Sequence, residues 1–242
     1  MNAKNLVRSF VISGAGILSA AVYMGALDSL HLPQRSKVGK KRVACVGDSI
    51  TYGCFVAGQP WNSYPKQLER LLGKDYCAGN FGYTNRTAIN TADFPYTAEK
   101  LYEKSLDFLP DIVLIMLGTN DTKEINWNPG KYMTDLCRLI DSYRDLSTHP
   151  KIYLLLPPPV FPVFGRVLWD IRSDVLEYEV LPMCRQAAEE KSVTLINTHD
   201  VFCDRRELFV DGVHPNRKGA GLLAETVYDA IMDKAHGDDG QR

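Results

Sequence analysis

Apolar positions along this chain follow two alternating rhythms. Short, largely apolar runs occur at Val43 to Val46, Tyr76 to Phe81, Asp111 to Leu117, Ile152 to Leu156 and Thr194 to Asn197. They have strand length and stop at glycine, proline or polar residues. Between them the apolar positions switch to helical spacing. Tyr64 to Leu72 places Tyr64, Leu68, Leu71 and Leu72 on one face and ends at Gly73, and Ala98 to Phe108 halts before Pro110. Tyr132 to Leu146 aligns Leu136, Leu139, Ile140 and Tyr143, and Val175 to Lys191 and Gly219 to Lys234 read as two more helices. Strands that alternate with helices, and that are apolar on both sides, predict an α/β fold: a five-stranded parallel sheet covered by helices on both faces.

The two ends fall outside this rhythm. Lys4 and Arg8 precede an uncharged run from Ser9 to Leu27 that contains the small residues Ser19, Ala20 and Ala21. Residues 1–27 therefore read as a secretory signal peptide, as an uncleaved membrane anchor with its basic end inside, or as a cytosolic helix. The first two make the protein an exported one, periplasmic, secreted or membrane-anchored. Residues 28–40, with several basic side chains, read as a linker, 41–236 as the domain, and 237–242 as a polar, disordered tail.

Composition narrows the picture. At 242 residues the chain can bury a substantial core. A formal net charge of −1 leaves no footprint for nucleic acid, and contact with a membrane is expected only through the N-terminal segment. None of the six cysteines is spaced as a Cys-x-x-Cys pair, which argues against a zinc site. Cys45 and Cys137 fall in apolar patterns and read as small core residues, while a Cys54 to Cys77 bridge stays open.

The candidate chemistry sits where strands end. The first strand stops at Gly47-Asp48-Ser49-Ile50-Thr51, the third at Gly118-Thr119-Asn120-Asp121, and Asp211-Gly212-Val213-His214-Pro215 lies near the C-terminus. A serine, an asparagine and an Asp/His pair on loops are the components of an acyl-transfer site. Singly, each has a plain structural reading as a turn, capping or surface residue.

Together with Asn80-Phe81-Gly82, these segments resemble, in order, the four sequence blocks of the SGNH (GDSL-type) hydrolases. That resemblance implies a flavodoxin-like three-layer sandwich with strand order 2-1-3-4-5. It implies Ser49 as nucleophile, His214 as base, Asp211 as the acid that orients it, and an oxyanion hole from the Ser49 N–H, the Gly82 N–H and the Asn120 amide. No metal or cofactor is implied. The family's usual second glycine after Gly82 is replaced by Tyr83-Thr84-Asn85-Arg86, and Asn85 can still adopt positive φ.

Finer wording resembles the carbohydrate O-acetylesterase branch: Asn62-Ser63-Tyr64-Pro65, Asp93-Phe94-Pro95-Tyr96 and Pro157-Pro158-Pro159-Val160-Phe161. Substrate contacts are expected from Asn85, Arg86, Trp127 and Phe161, with Phe164 and Trp169 as further loop aromatics. The expected partner is a small-molecule or glycan ester. A lysophospholipase or thioesterase of the same family, and a flavodoxin-like module that only binds, stay open as alternatives.

Overall fold

The computed structural model describes residues 39–232. The expected leader, nearly all of the linker and the polar tail lie outside these residues. Five strands form one parallel sheet: β1 Lys41–Gly47, β2 Tyr76–Gly82, β3 Ile112–Met116, β4 Lys151–Leu155 and β5 Thr194–Ile196. The order is β2-β1-β3-β4-β5, as the resemblance implied.

Alternate residues of each strand point to opposite layers, which explains why the strands are apolar throughout. Ala44, Val46, Val113, Ile115, Ile152 and Leu154 join one core. Val43, Cys45, Ile112, Leu114, Tyr153 and Leu155 join the other.

Six helices matter for the site: α1 Ser49–Tyr52, α2 Tyr64–Leu72, α3 Lys100–Asp107, α4 Pro129–Arg144, α5 Leu181–Glu190 and α6 Arg217–Ile231. Leu68 of α2 and Leu223, Ala224 and Val227 of α6 fill the second core. Leu136, Leu139 and Ile140 of α4 and Cys184 and Ala187 of α5 fill the first.

Capping explains where the expected helices shift. α4 starts at Pro129, earlier than its apolar stripe suggests, because the Asn128 side chain accepts the Lys131 N–H at 3.0 Å and proline suits the first position. Ahead of α5 the chain is already helical from Ser173, but it widens into a π turn over Leu176–Val180. Pro182 has no N–H to return to the preceding turn, and the wider turn absorbs that loss.

Register decides where the chemistry lies. Gly47, at the end of β1, pairs with Gly82 of β2 on one side and Met116 of β3 on the other. The segments after these three residues therefore leave the sheet side by side. The strand order reverses across β1, so this is the crevice where open parallel sheets place ligands.

Candidate active site

The Ser49 turn depends on missing side-chain atoms. A Cβ on Gly47 would lie 2.2 Å from Thr51 Oγ1 and 2.6 Å from the Met116 carbonyl oxygen, so only glycine lets β1 turn into α1 here. Asp48 then caps the single turn of α1, its Oδ1 accepting the Ile50 N–H at 2.9 Å. Ser49 is the first residue of that turn, so its N–H has no intrahelical acceptor. Both Ser49 and His214 are buried.

Asp211 and His214 belong to one tight loop. Asp211 Oδ1 accepts the backbone N–H groups of Val213 at 3.0 Å and His214 at 2.8 Å. Its Oδ2 meets His214 Nδ1 at 2.7 Å, and the other ring nitrogen, Nε2, lies 2.8 Å from Ser49 Oγ. Burial works against the Asp211 charge. Hydrogen bonds from His214 and attraction to its ring outweigh that, with help from the His214 and Val213 N–H groups, and hold the carboxyl well below the usual carboxylate range. An ionised carboxylate only accepts, so the proton between the two residues belongs to Nδ1, and the Nε2 lone pair faces the serine hydroxyl. A line of this kind can take the hydroxyl proton as the oxygen attacks an acyl carbon.

Asn120 opens the short 3-10 turn Asn120–Thr122 after β3. Its Nδ2 donates to Asp48 Oδ2 at 3.3 Å and to the Arg86 carbonyl at 3.2 Å, which places the amide between the serine turn and the loop after β2. Gly82, at the end of β2, is held close to both α1 and Asn80. Its N–H donates to Asn80 Oδ1 at 3.0 Å, and a Cβ there would stand 2.2 Å from the Tyr52 backbone nitrogen. Gly82 lets β2 pack against α1, and its N–H is occupied in a local turn. Asn85 adopts φ 62°, the left-handed conformation foreseen for it, and sits half-buried beyond that turn.

Three residues expected to meet substrate have structural partners. The Arg86 guanidinium bonds Glu99 Oε1 through Nε at 2.9 Å and Nη2 at 2.6 Å, donates to the Thr84 carbonyl at 2.6 Å, and lies 3.8 Å over the Tyr83 ring. It pins the loop that carries Asn85. The Trp127 indole donates to Glu179 Oε2 at 3.0 Å and packs on Tyr132. Phe161 clasps the Asp211 loop: its N–H donates to the Gly212 carbonyl at 2.8 Å, and its ring packs on Phe209.

The aromatics that do border His214 are Phe55, edge-on with ring centres 5.2 Å apart, and Trp169, edge-on at 6.1 Å. Trp169 Nε1 also donates to Asp211 Oδ2 at 2.7 Å. Nothing in the sequence around Phe55 signals this position. Trp169 was visible only as an aromatic in a proline-rich loop.

Among the described residues, His199, Asp200 and Cys203 bring ligand-type atoms together on the loop after β5. The His199 ring is already engaged at both ends, by the Pro157 carbonyl at 2.8 Å and by Glu177 at 3.2 Å. Burial pushes the Cys45 and Cys184 thiols up to about 12, which leaves them inert core groups.

Comparison with known proteins points the same way. The chain is 35% identical to an acetylxylan esterase of Xylanibacter ruminicola, over 85% of this chain and 45% of that protein, so it spans less than half the length of this relative. Its fold is similar to that of Est24, a carbohydrate acetylesterase from Sinorhizobium meliloti, with a TM-score of 0.65, 21% identity, and coverage of 81% of this chain and 100% of that one. It is equally similar to the native aryl esterase of M. smegmatis, with a TM-score of 0.65, 23% identity, and coverage of 80% and 99%. Residues 45–222, a span that takes in Ser49, Asn120, Asp211 and His214, match the GDSL-like lipase/acylhydrolase family, and to that family this chain belongs.

Proposed function

We propose that this chain is a serine esterase that removes O-acetyl groups from carbohydrates. The observation that carries the reading is the continuous line from Ser49 Oγ through His214 to Asp211, with gaps of 2.8 and 2.7 Å. In this reading Ser49 attacks the ester carbonyl as His214 Nε2 takes its proton. Asp211 stabilises the resulting imidazolium. The oxyanion is held by the Ser49 N–H at the start of α1 and by Asn120 Nδ2, which exchanges its long bond to Asp48 for the new charge. His214 then returns the proton to the departing sugar hydroxyl, and water repeats the sequence on the acyl-enzyme.

The carbohydrate part of the proposal is supported by the 35% identity to an acetylxylan esterase. Asn85 is the residue we assign to the sugar side, because it lies on the loop whose Arg86 carbonyl touches Asn120. The test is hydrolysis of p-nitrophenyl acetate, butyrate and octanoate, then of acetylated xylan, beside Ser49→Ala. Acetate should be preferred, and the variant should lose on the order of 10⁴-fold or more in kcat. A preference for octanoate would overturn the acetyl reading, and equal rates in wild type and variant would overturn the serine mechanism.

A further inference from the structure

The Asp211 carboxylate is held from two directions. Both donors to Oδ1 are backbone N–H groups of its own loop, and His214 Nδ1 on Oδ2 comes from that loop as well. All three bonds come from the Asp211 loop itself and anchor the carboxylate to nothing outside it. The fourth donor, Trp169 Nε1, arrives from a segment 42 residues away and reaches Oδ2 at 2.7 Å. It is the bond that ties the side chain to a different part of the fold.

We propose that Trp169 is a positioning residue: its indole N–H locks the Asp211 carboxylate in the plane that His214 needs, and its ring shields that pair from water. This rests on reading Ser49, His214 and Asp211 as the catalytic line. Three further observations agree. Trp169 and Asp170 adopt φ 67° and 58°, a left-handed backbone that a bulky residue disfavours, so the loop is held there against its own preference. The Trp169 ring lies edge-on to His214 and tilted against Phe55 at 6.3 Å, so two aromatics border the imidazole. Side-chain exposure is only 7% for His214 and 12% for Asp211, so a carboxylate oxygen that lost the indole would find little water to replace it.

The chemistry of the bond explains why a tryptophan is useful here. An N–H donated to an ionised oxygen is short and strong, yet indole carries no charge and cannot compete with the imidazolium for the carboxylate. A lysine or arginine at the same place would neutralise the charge that His214 uses. The indole fixes orientation and leaves the charge in place.

The test replaces Trp169 with 3-benzothienylalanine, which keeps the bicyclic ring and removes only the N–H, alongside Trp169→Phe. Two readouts are taken: steady-state kinetics on p-nitrophenyl acetate, and the NMR signal and solvent exchange of the His214 Nδ1 proton. Loss of the N–H should lower kcat by about 10- to 100-fold with KM changed less than about twofold, because the interaction acts on the line and not on the substrate. The Nδ1 proton should exchange with water faster in both variants. A benzothienyl variant with wild-type kcat and wild-type exchange would overturn the proposal and leave the ring as simple packing. If wild type itself failed to hydrolyse esters, the esterase reading would fall, while the exchange measurement would still decide whether Trp169 holds Asp211.

Discussion

Asp48 precedes Ser49 and Asp211 bonds His214, and the protein treats the two carboxylates in opposite ways. Asp211 accepts four hydrogen bonds at the rim of the site and is held well below the usual range despite its burial. Asp48 lies fully inside, where burial outweighs the Ile50 N–H and pushes it up to about 6. Asp121, at the end of β3, goes further, to about 7, although the Ile89 and Ala88 N–H groups both bond it. The number of donors and the access to water sort identical side chains into roles. Asp211 keeps a charge that His214 can lean on. Asp48 and Asp121 clasp backbone N–H groups at the strand ends and sit near neutrality. The three sequence segments that carry these aspartates give no hint of this division.

Substitution at the two sides should separate them most sharply. Asp211→Asn removes the acceptor that fixes the His214 tautomer and should lower kcat by about 10³- to 10⁴-fold. Asp48→Asn keeps an acceptor for the Ile50 N–H and should stay within about tenfold of wild type at neutral pH. Comparable losses in both would erase the distinction.

Gly82 offers a test of structure against chemistry on the Asp48 side. An added Cβ would collide with the Tyr52 backbone nitrogen at 2.2 Å. Gly82→Ala should therefore cost about 1–3 kcal/mol, lowering the melting temperature by several degrees. Because the Gly82 N–H already serves Asn80, the loss should appear mainly in stability, with kcat of the folded fraction close to wild type. A wild-type melting curve with kcat down a hundredfold would return Gly82 to the oxyanion hole.

The smallest effect concerns pH. An acid whose folded value is raised holds a proton that the unfolded chain has released, so its stability contribution is complete below about 4 and is lost as pH rises through its folded value. For Asp48 and Asp121 that loss runs up to about 6 and about 7. Asp211, being lowered, contributes above the ordinary carboxylate range and loses its contribution only as pH falls below it. Urea unfolding at pH 6 and pH 8 should show wild type losing on the order of 1–2 kcal/mol more than Asp121→Asn over that interval. Parallel slopes would mean that Asp121 does not titrate there.

Much of the fold could be read before the structure, because two-sided strands and amphipathic helices carry strong periodic signals. β1, β3 and β4 stand out as apolar runs, and α2 and α6 as stripes with clear ends. Ser49, Asn120, Asp211 and His214 were legible for another reason: each sits in a short segment of distinctive residue types at a strand end or in a tight loop. Arg86, Trp127 and Gly82 have partners that the sequence around them does not announce. Arg86 looked available until Glu99 claimed it, and Trp127 until Glu179 did. The Gly82 N–H meets Asn80, two residues earlier, which turns back upon it. Phe55 and Trp169 approach His214 only through positive-φ backbone at both residues, which no propensity at a phenylalanine or tryptophan suggests.

The four-residue span from Asp211 to His214 has a consequence for how errors spread through this site. Where acid and base come from distant elements, a small displacement of either one spoils two alignments at once. Here both ride on one rigid loop, stitched by two backbone bonds and clamped by Phe161, so a shift of the loop carries the pair together. Any misfit is then concentrated in one gap, the 2.8 Å between His214 and Ser49. In the proposed esterase, that single distance is where a displacement of the loop would be felt first.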